Sequence, residues 1–198
     1  MQREASQYFD AQADTYQRRS QQGAWRFVRR FERAAVFDLL ADGCRGRVLE
    51  LGCGAGYYSR LLGDEGPAEL VCADVSPRML EQLRGVGCER LQADMENLVL
   101  DREFDCILAA GSLEFVAHPE RVLANARRML ARGGVFVGLV PAEGWGGRIY
   151  AGFHRRHGLA VRLFDRPGVE RLAEAAGLSM EKSRRCGLFS LAFRLRCV

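Results

Sequence analysis

The stretch Val48-Leu49-Glu50-Leu51-Gly52-Cys53-Gly54-Ala55-Gly56 decides how this 198-residue chain folds. An apolar run meets glycines at every second position, and Tyr57 to Leu62 then reads as a helix start. The pattern is a strand, a tight turn and a helix. Glycine admits backbone conformations that a Cβ forbids, and it lets a ligand lie directly against the main chain. The positive end of the following helix favours negative charge on such a ligand. A dinucleotide fingerprint is spaced G-x-G-x-x-G around a pyrophosphate. Here the spacing is G-x-G-x-G, and Glu50 stands two residues ahead of the first glycine. A carboxylate there opposes a pyrophosphate and suits a cationic ligand.

Further along, Leu70-Val71-Cys72-Ala73-Asp74 reads as an apolar strand ending in a carboxylate 18 residues after Gly56. In a nucleotide-binding βαβ unit an acid at this place accepts hydrogen bonds from the ribose hydroxyls, and it repels a 2′-phosphate. Ser76-Pro77 supplies an N-cap and a proline at the first helical position. Leu91 to Glu96 is a strand end with another acid, Asp94. Phe104 to Ala110 is a buried-type strand leading into Gly111-Ser112-Leu113-Glu114-Phe115. A helix from about 119 to 131 is expected to exit at Gly133-Gly134, before a strand over 135–140.

These five segments, in this order across residues 48–140, resemble the class I S-adenosylmethionine (SAM)-dependent methyltransferases. Glu50 to Gly56 resembles the family's first motif, Asp74 to Met79 its D-x-S-x-x-M segment, and the region before Gly133-Gly134 its R-x-L-x-x-G-G helix exit. The resemblance implies a SAM site formed by Glu50, Gly52, Cys53, Gly54 and Gly56 at the turn. It further implies Asp74 on the ribose, and Val75 and Met79 beside the adenine. Asp94 would accept from the adenine amine, with the Met95 N–H on the ring, and Ala110 at the end of the fourth strand would be a further cofactor contact. The implied fold is α/β: a Rossmann-like seven-stranded sheet, mostly parallel with one antiparallel strand, helices on both faces and a helical N-terminal cap. The implied reaction is transfer of the SAM methyl to an O, N or C nucleophile of a small molecule, leaving S-adenosylhomocysteine. The alternative is a SAM-binding protein that modifies SAM or regulates without methyl transfer.

The length suits a single domain: a cap over 1–45, a cofactor core over 46–140, an insertion over 141–166 and a C-terminal helix and strand pair over 167–198. No run of 18 apolar residues exists, and the polar start Met1-Gln2-Arg3-Glu4 lacks a signal-peptide core, so a cytoplasmic protein is expected. Seven cysteines include no C-x-x-C pair and no zinc-type cluster, so neither a disulfide framework nor a metal is expected. A net charge of +4 demands no nucleic-acid partner. Lys182 is the single lysine among 29 basic residues, a ratio that points to coding bias more than to guanidinium chemistry. An NPPY-type motif of nucleic-acid amine methylases is absent after the fourth strand, where Ala109-Ala110-Gly111-Ser112 stands. A nicotinamide oxidoreductase is opposed by the glycine spacing and by Glu50 and Asp94.

Outside the core, Phe27, Phe31, Ala34, Ala35, Asp38 and Leu39 recur at helical spacing, with arginines opposite. Before them, Tyr8-Phe9-Asp10 and Ala13 to Tyr16 resemble the opening F-D-x-x-A-x-x-Y of the small-molecule methyltransferases of quinone and tetrapyrrole biosynthesis. In those relatives this segment is a lid, which implies a cofactor contact for Tyr16. The insertion over 142–166 leaves a strand end and is expected to wall the acceptor site. Its His154 and His157, spaced i, i+3, are the candidate general bases. Trp145, Tyr150 and Phe153 beside Arg148, Arg155 and Arg156 suggest an aromatic or apolar acceptor bearing an anionic group. Where many relatives carry Leu-Glu-His after the fourth strand, this chain has Phe115, so no histidine role carries over.

Overall fold

The structure is a computed structural model, and it describes Tyr8, Asp10 and residues 25–40 and 45–197. Its centre is a sheet of β1 (Arg47–Leu51), β2 (Glu69–Asp74), β3 (Glu89–Gln92), β4 (Phe104–Ala110), β5 (Leu130–Pro141), β6 (Leu178–Cys186) and β7 (Ser190–Cys197). The order is β3-β2-β1-β4-β5-β7-β6. Pairs from β3 to β5 are parallel, while β7 runs antiparallel to β5 and β6. The Rossmann-like sheet with its reversed strand is therefore as the sequence implies.

Successive strand residues face opposite sides, and each side meets its own helices. Leu49, Leu51, Ile107, Ala109 and Phe136 share one apolar cluster with Val122, Leu123 and Ala126 of α4 (Pro119–Met129) and with Val169 and Ala173 of α6 (Arg166–Ala175). Val48, Cys106, Leu108, Val135 and Val137 face the other cluster. There they meet α1 (Trp25–Leu40), α2 (Tyr57–Asp64) and Leu80 of α3 (Pro77–Glu81). Full burial of each large side chain, such as Phe104 or Phe136 at 0% exposure, stabilises by roughly 1.5–3 kcal/mol. The parallel strands all deliver their C-terminal ends to one edge, where the glycine turn, Asp74, Glu114 and Pro141 lie.

Two expectations need correction. In α1, Ala35, Val36, Leu39 and Leu40 are buried, but Phe27 and Phe31 are 59% and 65% exposed. Each step of four residues overshoots a full turn by about 40°, so a stripe begun at Phe27 has swung away from the sheet-facing side by Leu39. Second, α4 ends at Met129, and the Gly133-Gly134 pair belongs to the bulged start of β5. A Cβ on Gly134 would sit 2.9 Å from the Phe104 carbonyl oxygen, so the glycine permits close strand approach and does not end a helix.

The insertion contains a helix, α5 (Trp145–Arg155). Glycines 146, 147 and 152 make it a poor helix former in isolation. Packing overrides that weakness: a Cβ on Gly146 would come 2.4 Å from the Leu188 carbonyl oxygen, and one on Gly147 would come 2.0 Å from that of Ala142. The segment after α5 is stitched back by Glu143 N–H to Phe164 O at 2.8 Å, Phe164 N–H to Pro141 O at 3.0 Å and Arg162 N–H to Glu114 O at 3.1 Å.

Candidate functional site

The turn after β1 places Gly52, Gly54 and Gly56 in the left-handed region at φ 68°, 52° and 81°. They are not equivalent. A Cβ on Gly52 would lie 2.4 Å from Ser112 Cβ and 2.8 Å from Met95 Cε, and one on Gly56 would lie 2.8 Å from an Arg60 nitrogen. On Gly54 it would meet nothing within 4 Å. Gly52 and Gly56 therefore serve packing, while Gly54 faces open space against which a ligand can rest. The turn is pinned to β2: the Gly52 and Cys53 N–H groups both donate to Ala73 O, at 2.8 and 3.1 Å. Arg60 holds its other side, donating from one nitrogen to the Ala55 and Gly56 carbonyls, each at 2.7 Å, and from the second to Gln82 O at 2.6 Å. Nothing in the spacing singles out Arg60, because its partners are all main-chain.

Asp74 closes the same corner. Its Oδ2 accepts the Gly54 N–H at 2.8 Å and its Oδ1 accepts the Ser76 N–H at 2.9 Å. Each oxygen keeps a lone pair for a hydroxyl donor. Burial raises its pKa, partly offset by those two donors. Ser76 caps α3, accepting the Met79 N–H at 3.1 Å, and its hydroxyl is held by Asp10 of the N-terminal segment. That contact brings the segment read as a lid next to the ribose candidate, whereas Tyr16 lies outside the described residues. Beyond the strand end Val75 is exposed, and Met79 is buried. Asp94 accepts from the Glu96 N–H at 2.8 Å and from the Asn97 amide at 2.7 Å, so the local turn engages both its oxygens. Met95 and Ala110 are half-buried at the same edge.

Glu50 corrects the charge argument made for it. Its side chain is 2% exposed, its Oε2 accepts the Ser59 hydroxyl at 2.5 Å, and burial pushes its pKa well up. It braces the turn against α2 from within. The neighbouring Cys53 is also buried.

At the ends of β4 and β5 a second feature opens, a cavity of about 70 Å³ whose lining includes Arg29 and Glu32 of α1, Glu114, Tyr150 and Ser190. Glu32 accepts the Ser190 hydroxyl at 2.5 Å and pairs with Arg29 at 3.9 Å. Glu114 is 2% exposed; its Oε1 meets the Tyr150 hydroxyl at 3.4 Å, and its Oε2 is buried with no hydrogen-bond partner. Burial drives its pKa up to about 8, with the Glu32 charge adding to the rise. Sequence reasoning passed over Glu114 because a lone acid after a strand carries no spacing signature.

The histidines are separated by the helix. His154 is buried among Phe115, Tyr150 and Phe153 at ring distances of 5.6, 4.5 and 5.5 Å. Burial pushes its pKa down to about 4, too low for an efficient general base near neutrality. His157 is exposed, 6.0 Å from the Tyr8 ring, and neither histidine lines the cavity. Phe115 packs with Leu159, Tyr8 and Val161. The expected anion clamp is also corrected: Arg148, Arg155 and Arg156 are exposed and do not line the cavity. Of the expected aromatic walls, Trp145 and Phe153 are 60% and 53% exposed, and Tyr150 alone turns inward to the cavity.

Comparison with known proteins bears on this edge of the sheet. Residues 49–138 match the family described as "Methyltransferase domain". Malonyl-[acyl-carrier protein] O-methyltransferase of Anoxybacillus flavithermus is 30% identical over 128 residues, covering 61% of this chain and 48% of that protein. Demethylmenaquinone methyltransferase of Thermotoga maritima is 34% identical over 127 residues, 60% of this chain and 56% of that one. The chain thus spans about half the length of these curated relatives. Among solved structures, DhpI in its SAH complex superposes with a TM-score of 0.79 over 98% of this chain and 96% of its own, at 21% identity. The chain thus shares its fold nearly end to end with that structure, and over residues 49–138, from the first strand to the fifth, it is similar to SAM-dependent methyltransferases.

Proposed function

We propose that this protein transfers the methyl group of SAM to a small-molecule acceptor. The observation that carries the reading is the corner made by Gly54 and Asp74: an open-faced glycine whose N–H is fixed by a strand-end carboxylate 2.8 Å away. A cradle that a side chain at residue 54 would fill, beside an acid with spare lone pairs, fits a ribose and its attached chain. Asp74 would accept the ribose hydroxyls, Asp94 would accept from the adenine amine, and Val75, Met79 and Met95 would flank the ring. Glu50 and Arg60 would act indirectly by holding the turn. Tyr8 and Asp10 would belong to a lid over the site, with the helix α5 insertion on the acceptor side.

When bound, SAM supplies an activated sulfonium methyl, which an O, N or C nucleophile takes by in-line displacement. What remains for the protein is positioning and exclusion of water, which supply on the order of 7–11 kcal/mol of such a barrier. Calorimetric titration with SAM, followed by incubation of the labelled cofactor with an extract of the source cells, tests the reading. Binding that saturates at one site, with label appearing in a small molecule, is expected. Binding with label only in a fragment of SAM itself would instead support a SAM-modifying protein.

A further inference from the structure

Resting on the methyltransferase reading, we propose that the cavity between α1, the end of β4 and α5 is the acceptor subsite, and that Glu114 anchors a basic nitrogen of the acceptor, an amine or an imidazole-like group.

Glu114 Oε2 is buried, lines the cavity side of the β4 loop and has no hydrogen-bond partner, while Oε1 has only a long contact from Tyr150 at 3.4 Å. Buried polar atoms in folded proteins are nearly always satisfied, so an orphaned carboxyl oxygen at a cavity wall calls for a donor from a ligand. The subsite has a preferred sign. Glu32 and Glu114 contribute two acids, against the single guanidinium of Arg29 among the described lining. Arg29 is engaged by Glu32 at 3.9 Å and lies over the Tyr57 ring at 5.3 Å. The Ser190 hydroxyl is directed at Glu32. A carboxylate or phosphate entering here would face two carboxyl groups, and an apolar group would leave Oε2 without a donor. A nitrogen bearing hydrogens satisfies the oxygen and, when charged, both acids.

The location suits an acceptor. Glu114 follows Ser112 by two residues, and Ser112 is the residue that packs on Gly52 and donates from its hydroxyl to Leu51 O at 3.0 Å. The subsite therefore shares a short rigid link with the glycine turn. Burial raises the Glu114 pKa to about 8, and an ammonium seated beside it would offset that rise and draw the carboxyl into its charged form; Glu32, Arg29 and Tyr150 are the charged and titratable groups that act on it.

The test uses three probes of one shape, benzylamine, benzyl alcohol and benzoate, titrated calorimetrically at pH 7.5 into the protein saturated with S-adenosylhomocysteine. Benzylamine is expected to bind at least about tenfold more tightly than benzoate, as a charge-assisted hydrogen bond implies. Glu114→Gln is expected to erase that preference while S-adenosylhomocysteine affinity stays within about twofold. Glu32→Gln, a second variant should Glu114→Gln fail to fold, is expected to weaken benzylamine about threefold. Benzoate or benzyl alcohol binding as well as benzylamine overturns the proposal. So does failure of benzylamine to bind, or indifference of its affinity to both substitutions. A wild-type protein that binds neither SAM nor S-adenosylhomocysteine defeats the methyltransferase reading itself, a result distinguishable from all of these.

Discussion

The two ends of the parallel sheet edge are built from different materials. Beyond β1 and β2, the groups placed for a ligand are main-chain or one step from it: an open Gly54, N–H groups pinned to Ala73 O, and an aspartate locked by two backbone donors. Beyond β4 and β5, the cavity is walled by side chains that come from positions as far apart as Arg29 and Ser190. A main-chain cradle has to be written locally, as glycines at fixed spacing. A side-chain wall is assembled by the fold and leaves no local pattern. The first region can therefore be shared by a whole family, while the second is free to differ from one member to the next.

The largest effect is expected inside the turn itself. Gly52→Ala combines left-handed strain, roughly 1–2 kcal/mol, with overlap against Ser112, roughly 1–3 kcal/mol more. Urea denaturation should show a loss of about 2–5 kcal/mol. Gly54→Ala bears the strain alone, since its Cβ meets nothing, so the protein should fold with a loss of about 1–2 kcal/mol. Its SAM affinity should nonetheless fall steeply. Equal stability costs at the two positions, or normal SAM binding by Gly54→Ala, would erase the distinction between a packing glycine and a cradle glycine.

The β4–β5 half, the proposed acceptor side, should reveal itself through pH. Glu114 titrates near 8 in the fold, above its ordinary 4.5, so the folded state keeps a proton that the unfolded chain releases. Its contribution is complete below about pH 4.5 and is lost as pH rises through 8, a fall of several kcal/mol. His154 has the opposite sign. Its pKa near 4, below the ordinary 6.5, means stability is gained as pH rises between those values, by about 3 kcal/mol. Denaturation curves from pH 4 to 9 should show the wild-type advantage over Glu114→Gln shrinking with pH. The advantage over His154→Phe should grow up to about pH 6.5. Parallel curves for either pair would mean that the group in question is solvated.

Legibility in the sequence follows the same division. The succession of strands and helices, Asp74 at the end of β2 and the Ser76 cap were readable as local chemistry at fixed spacing, while the reversed final strand followed from the resemblance. Helix α5 was hidden by Gly146, Gly147 and Gly152, which weaken helical propensity but are required for contact with Leu188 and Ala142. Glu114 and Glu32 were hidden because they meet only in the fold. Glu50 was visible as an acid, but its inward rotamer toward Ser59 reverses the role that its charge suggested.

Within the cofactor half, the two strand-end acids should differ. Asp74→Ala removes the partner of two backbone N–H groups together with the proposed ribose acceptor, and should weaken SAM by roughly 1.5–3 kcal/mol for each charge-assisted bond lost. Asp94→Ala should cost roughly 0.5–1.5 kcal/mol, because one adenine contact is at stake and the residue is otherwise occupied by Glu96 and Asn97. Calorimetry on both variants decides it, and a larger loss at Asp94 would move the ribose to the β3 end.

The smallest effect concerns the arginines of the insertion. Arg155 and Arg156 end α5 and are exposed, and the cavity wall on their helix is supplied by Tyr150. A guanidinium in water pairs weakly with any anion, because solvent and salt screen it. Replacing both with Gln should change stability by less than about 0.5 kcal/mol and leave SAM affinity within error. It should also leave benzylamine and benzoate affinities unaltered, in contrast to Glu114→Gln. A selective loss of benzoate binding in the double variant would show that an anion approaches the site over α5, and would hand the acceptor back to the surface arginines at the expense of the buried acids.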